Sequence, residues 1–150
     1  MEARDHILAK HPDLVVIGAH IGSLEYDVDE VARRLDAYPN FHVEVSARTN
    51  DLTRQPAGKV RAFFQKYQDR ILYGVDRSWM PHRTPDVKPT DDARRKFAAD
   101  LEAQYRRDWD YYAGTGSITY NADTVEALGL PKDVLEKFYW KNAERIIGVK

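Results

Sequence analysis

Three apolar runs in this 150-residue chain each end on a polar side chain able to do chemistry. Leu14-Val15-Val16-Ile17-Gly18-Ala19 closes on His20, Phe41-His42-Val43-Glu44-Val45 on Ser46, and Ile71-Leu72-Tyr73-Gly74-Val75 on Asp76. A neutral imidazole so placed can bind a metal, or orient and deprotonate a water. A carboxylate that close to a core has to be hydrogen-bonded, paired or metal-bound, because an isolated buried charge is too costly. His20 and Asp76 are therefore the candidate catalytic and metal-binding residues. Arg48 and Arg54 follow the second run, where a guanidinium can grip a carboxylate through two parallel hydrogen bonds. Arg48 is the candidate substrate-binding residue, and His82 lies in the stretch after Asp76.

Each of these residues also has a plainer reading. His20 could simply bond a neighbouring backbone group, and Asp76 could cap the next loop or pair with Arg48 or Arg77. Arg48 and Arg54 could be ordinary surface ion pairs. Ser46 lacks the Gly-x-Ser-x-Gly elbow of a serine nucleophile, and strand-end serines often cap turns. No glycine-rich phosphate loop is present, so nucleotide binding has no support. His6, His11 and His42 are expected to face solvent or helix ends, and Trp109, Tyr111 and Tyr112 to be packing.

The elements that must position these groups alternate. Residues 3–11 read as a helix with Ile7 and Leu8 as its apolar contacts, broken by His11-Pro12-Asp13. Residues 14–19 form a strand apolar on both faces, as expected for a covered parallel sheet. Asp27 or Asp29 caps a helix carrying Val28, Val31, Leu35 and Tyr38. The second strand sets Val43 and Val45 on one face and His42, Glu44 and Ser46 on the other. A helix with Val60, Phe63, Phe64 and Tyr67 leads to the third strand, 71–75. Crossovers of this length predict parallel, right-handed pairing. Both outer strands would then present bare edges.

After Asp76 the rhythm breaks. Pro81, Pro85 and Pro89 mark an irregular loop. A helix over about 91–113 follows, with Phe97, Leu101, Tyr105, Trp109 and Tyr112 at helical spacing. Residues 118–121 read as loop or a short extended piece. A last helix starts near Pro131, with Asn142 capping a short terminal segment that Gly148 stops.

Composition sets outer bounds. With 31% charged and 43% hydrophobic residues and a net charge of −1, the chain reads as one globular domain with no bias toward nucleic acid or anionic membranes. The basic clusters at 94–96 and 106–107 are interleaved with Asp91, Asp92, Asp100, Glu102, Asp108 and Asp110, which reads as a solvated helix face. The absence of cysteine excludes disulfides and thiolate chemistry and fits a cytoplasmic location. No apolar run approaches the ~20 residues of a membrane span.

The ordered set Pro12-Asp13-Leu14 to Ala19-His20-Ile21-Gly22, Tyr38-Pro39-Asn40 to Ser46-Ala47-Arg48, and Asp69-Arg70 to Val75-Asp76 resembles the C-terminal half of the amidohydrolase-related (amidohydrolase 2) family. The ending, Ala127-Leu128-Gly129-Leu130-Pro131 through Tyr139 and Asn142 to Arg145, resembles it too. The resemblance implies an α/β fold: about strands 6–8 of a (β/α)8 TIM barrel, a partial domain over residues 1–150 with an insertion at about 77–130. It implies a divalent metal, usually zinc, and hydrolysis or non-oxidative decarboxylation of a small carboxylated or cyclic substrate. His20 would bind or polarise water or substrate, and Asp76 would be metal ligand and proton shuttle.

The family's His-x-His pair and fifth-strand His have no counterpart in this sequence, and a catalytic zinc generally takes three protein ligands. The isolated chain is therefore expected to be inactive or nearly so, and to need a missing N-terminal half or further copies of itself. The alternative is a non-catalytic half-barrel that acts as an interaction module.

Overall fold

The computed structural model describes residues 2–79 and 90–148. Its centre is a three-stranded parallel sheet of β1 (Val16–Gly18), β2 (Phe41–Glu44) and β3 (Ile71–Leu72), in the order β1-β2-β3. Val16 pairs with Phe41, Ile17 with His42 and Gly18 with Val43; Val43 pairs in turn with Ile71, and Glu44 with Leu72. The strand ends with chemistry therefore point the same way.

The crossover helices are Val28–Ala37 and Ala57–Lys66, packed against each other. Asp27 caps the first, accepting the Asp29 amide proton at 3.0 Å. Val28, Val31 and Leu35 from one helix and Val60, Phe63 and Phe64 from the other join Phe41, Val43 and Val45 in the core.

The strands are shorter than their apolar runs. Leu14 and Val15 stay outside β1, 50% and 54% exposed, because among the described residues no strand lies on its outer side. β3 stops at Leu72 because the next amide, Tyr73 N, donates not to a strand but to Phe138 O at 3.0 Å. Asn142 adds two hydrogen bonds, to Gln68 O at 2.7 Å and Ile71 O at 2.8 Å. Asn142 is thus not a helix cap, as expected from sequence, but a helical residue (φ −67, ψ −40) whose amide covers the edge of β3. The β3 edge is thus closed, while among the described residues no strand pairs with the β1 edge.

The helix Asp91–Ala113 starts on Thr90, whose hydroxyl accepts from Ala93 N at 3.2 Å. Only its last third enters the core, through Asp108, Tyr111 and Tyr112. Trp109 is half exposed but packs on the Tyr139 ring, centroids 5.5 Å apart, so all three aromatics make packing contacts. A hairpin follows, β4 (Ser117–Tyr120) and β5 (Asp123–Glu126), joined by Asn121-Ala122 with Asn121 at φ 55. The stretch expected as loop or extended chain is thus half of a hairpin. Helix Lys132–Glu136, a π-helical turn Lys137–Lys141 and helix Asn142–Ile147 complete the fold. Among the described residues no helix is long and apolar enough to cross a membrane.

Two further expectations are corrected. Leu8 is buried in the first helix, Glu2–Lys10, but Ile7 is 48% exposed. His42 is buried on the central strand instead of facing solvent, and desolvation, with the nearby positive charges of Arg70 and Arg145, holds its pKa down at about 4. The proline loop and His82 lie outside the described residues.

Candidate active site at the strand ends

Beyond β1 the backbone makes a left-handed turn. His20 (φ 55, ψ 45), Ile21 (φ 55, ψ 36) and Gly22 (φ 62, ψ 24) are followed by Ser23 at φ 57. Left-handed residues with a Cβ each cost roughly 1–2 kcal/mol, so this turn has to be held by its surroundings. Gly18 and Gly22 allow the close approach: a Cβ on Gly18 would lie 2.7 Å from Phe41 Cζ, and one on Gly22 would lie 2.9 Å from an Arg4 nitrogen. Arg4, from the first helix, donates to Gly22 O and lies over the Phe41 ring, 5.1 Å from its centroid.

The turn is also held by a carboxylate. Glu44 Oε1 accepts the His20 amide proton at 2.8 Å and the Ser46 hydroxyl at 2.7 Å, while Oε2 accepts the Ser46 amide proton at 2.8 Å. The His20 ring is fixed by the same neighbourhood, with Nδ1 2.8 Å from Ser46 O and 3.3 Å from Ser46 Oγ. A carbonyl oxygen only accepts, so Nδ1 carries the proton and, in the neutral ring, Nε2 keeps its lone pair. Holding one imidazole nitrogen on a carbonyl is how a second contact orients a ligand or base nitrogen.

Glu44 is the residue that sequence reading left without a role. The signal was present: a carboxylate on the His42/Ser46 face of an otherwise apolar parallel strand needs partners. Gly74 lies beside it, so that a side chain there would collide with Glu44 Oε2. The extension of β3 thus passes next to the His20–Glu44–Ser46 cluster.

Asp76 sits four residues past the end of β3, exposed and at φ 28. It lines a cavity of ≈ 270 Å³ together with Ala47, Asn50, Arg77, Arg107 and Asn121, among others. His20 is not among the residues lining this cavity, although it lies on the same strand-end face. Neither arginine offered as a partner for Asp76 takes it. Arg77 Nε donates to Gln104 Oε1 at 2.7 Å, and Arg48 pairs with Glu25 at 3.6 Å and Asp51 at 3.7 Å. Arg54 is exposed, 3.8 Å from Asp51. Among the described residues no three His, Cys, Asp or Glu side chains are grouped so as to hold a metal ion.

Asp108 overturns its reading as part of a solvated face. It is 1% exposed, accepting from Tyr73 Oη at 2.8 Å and Tyr120 Oη at 2.7 Å. Burial raises its pKa, with the two hydroxyls working against that shift.

A family model described as amidohydrolase matches residues 1–149. No curated protein and no solved structure matches the chain.

Proposed function

This chain belongs to the amidohydrolase family, and on that premise we propose that it forms part of a metal-dependent hydrolase or non-oxidative decarboxylase of a small carboxylated or cyclic substrate. The observation that carries the reading is the His20 ring, fixed through Nδ1 on Ser46 O with Nε2 left open. The three β/α units are read as about strands 6–8 of an eight-stranded barrel. That reading puts His20, Ser46 and Asp76 on the carboxyl-end face where such barrels carry their chemistry.

In this reading each residue has a part. His20 Nε2 takes a proton or a ligand bond. Glu44 and Ser46 are positioning residues, holding the left-handed turn and the ring. Asp76 is a solvent-accessible carboxylate that moves a proton. Arg48 is proposed as a substrate contact only if it leaves Glu25 and Asp51.

Members of the family are generally metal-dependent, but the described residues of this chain do not by themselves fit a metal. His20 and Asp76 supply two donors at most, His20 does not line the cavity beside Asp76, and two donors fall short of the usual three. We propose that the other ligands come from a further segment or from another copy of the chain.

The test is zinc binding and turnover by the purified chain, read as chelator competition and as hydrolysis or carbon dioxide release from small aromatic carboxylates. Weak zinc binding that His20→Ala weakens further, with negligible turnover, is the expected result. Robust turnover that survives Asp76→Ala overturns the assignment of roles. The bare edge of β1 beside exposed Leu14 and Val15 favours a second reading, an interaction module joining through that edge. In that case His20 and Asp76 substitutions leave the activity of any complete assembly unchanged.

A further inference from the structure

We propose that the cavity beside Asp76 binds a small monocarboxylate, with the Arg107 guanidinium as the partner of the anion. The proposal deepens the reading above and rests on its placing of the ligand face at the Asp76 rim.

The arginines around this end of the molecule are nearly all occupied. Arg77 is held by Gln104 and Arg106 by Glu102 at 2.6 Å, while Arg48, whose Nε is also buried without a hydrogen bond, has the carboxylates of Glu25 and Asp51 within ion-pair distance at 3.6 and 3.7 Å. Arg107 makes no hydrogen bond or ion pair with any described residue, and its Nε is buried without an acceptor. The carboxylate next to it in sequence, Asp108, is turned into the core and bonded to Tyr73 and Tyr120. Arg107 is half-buried, and a guanidinium whose Nε is shut off from water with no acceptor is stabilised by any group that accepts from it. Arg107 lines the cavity, so a ligand placed there can be that acceptor.

The walls narrow the ligand class. A planar guanidinium fork matches a carboxylate through two parallel hydrogen bonds. Asp76 on the same wall repels a multiply charged anion, which disfavours phosphate and dicarboxylates. Asn121 Nδ2 donates to Asn50 Oδ1 at 3.1 Å, which leaves Asn50 Nδ2 as a further donor on the wall. The cavity, ≈ 270 Å³, falls just below the ~300–1,000 Å³ of drug-sized pockets and therefore suits a ligand of few atoms.

The test is a titration of the ¹⁵N-labelled full chain with sodium propionate, against sodium chloride and sodium phosphate at matched ionic strength. The side-chain amides of Asn50, Asn121 and Gln104 should shift saturably with propionate, with a Kd on the order of millimolar. Arg107→Met should weaken binding at least about tenfold and Arg107→Lys several-fold, since lysine loses the fork. Non-saturating shifts, an equal response to chloride or phosphate, or an unchanged Kd in Arg107→Met overturn the proposal. If Arg107→Met loses its native spectrum, an unchanged Kd in Arg107→Lys overturns it instead. No turnover is involved, so the two readings separate. Propionate binding that depends on Arg107 and persists in Asp76→Ala supports the carboxylate site even if Asp76 proves to have no catalytic part.

Discussion

His20 Nδ1 lies 2.8 Å from the carbonyl oxygen of Ser46. That contact ties the turn after β1 to the chain just past β2 and decides which imidazole nitrogen carries the proton. Glu44, reached through the His20 amide on one side and the Ser46 amide and hydroxyl on the other, is the common anchor. The site is therefore built by two adjacent strand ends in register, and its geometry depends on Glu44.

Glu44→Ala should cost about 2–3 kcal/mol, because three donors lose a charged acceptor at once. It should also release the His20 ring from the Nδ1–H form. Ser46→Ala should keep that form, since the carbonyl partner remains. Chemical denaturation gives the first result, and ¹⁵N shifts of the His20 ring nitrogens give the second. An unchanged tautomer in Glu44→Ala would show that the anchor does not control the ring.

Gly22→Ala and Gly18→Ala test the left-handed turn from two directions. At Gly22 the strain comes from φ 62 and from Arg4 and Phe41 in the way; at Gly18 it comes from the Phe41 ring at 2.7 and 2.8 Å and from the Gly22 Cα at 2.9 Å. Each should destabilise by about 1–3 kcal/mol. Phe41→Leu should recover part of the loss in Gly18→Ala, because it removes the colliding ring edge. Thermal melts of the single and double variants measure that coupling.

The sequence exposed the strand ends well and the contents of the site less well. Apolar runs closed by His20 and Ser46 mark the rim because strand burial and alternation are local signals. Glu44 and Asp108 escaped because a carboxylate shows its burial only through distant partners. Tyr73, which holds Asp108, is 35 positions away, and a charge run on a helix looks solvated until its last third is packed. The left-handed turn carries a single glycine among Ala19-His20-Ile21-Gly22-Ser23, so its conformation comes from Glu44, Arg4 and Phe41 more than from its own residues. The hairpin at 117–126 was within reach: β-branched and aromatic residues flank Asn121, and asparagine is a usual occupant of the left-handed hairpin position.

Asn142→Leu should expose the edge of β3. The substitution removes the bonds to Gln68 O and Ile71 O and leaves two carbonyls without their donor, a loss of about 1–3 kcal/mol. An uncovered parallel edge also invites strand pairing between molecules. Denaturation midpoints should fall, and light scattering on heating should begin earlier than in a surface variant of equal stability. Equal scattering in the two would show that the amide stabilises the strand without shielding it.

His42 makes the fold acid-sensitive. Its folded pKa of about 4 lies below the ordinary 6.5 because burial and the charges of Arg70 and Arg145 disfavour the imidazolium. Between those values the unfolded chain binds a proton that the native state excludes, so stability falls as pH drops from about 6.5 toward 4 and levels off below. After allowance for solvent screening, the loss between pH 7 and pH 5 should be about 1 kcal/mol. Denaturant unfolding at the two pH values, compared between the parent and His42→Gln, isolates the effect: the variant should lose most of the slope. An identical slope in both proteins would place the acid sensitivity elsewhere and would mean that the central strand can accommodate a charged imidazole.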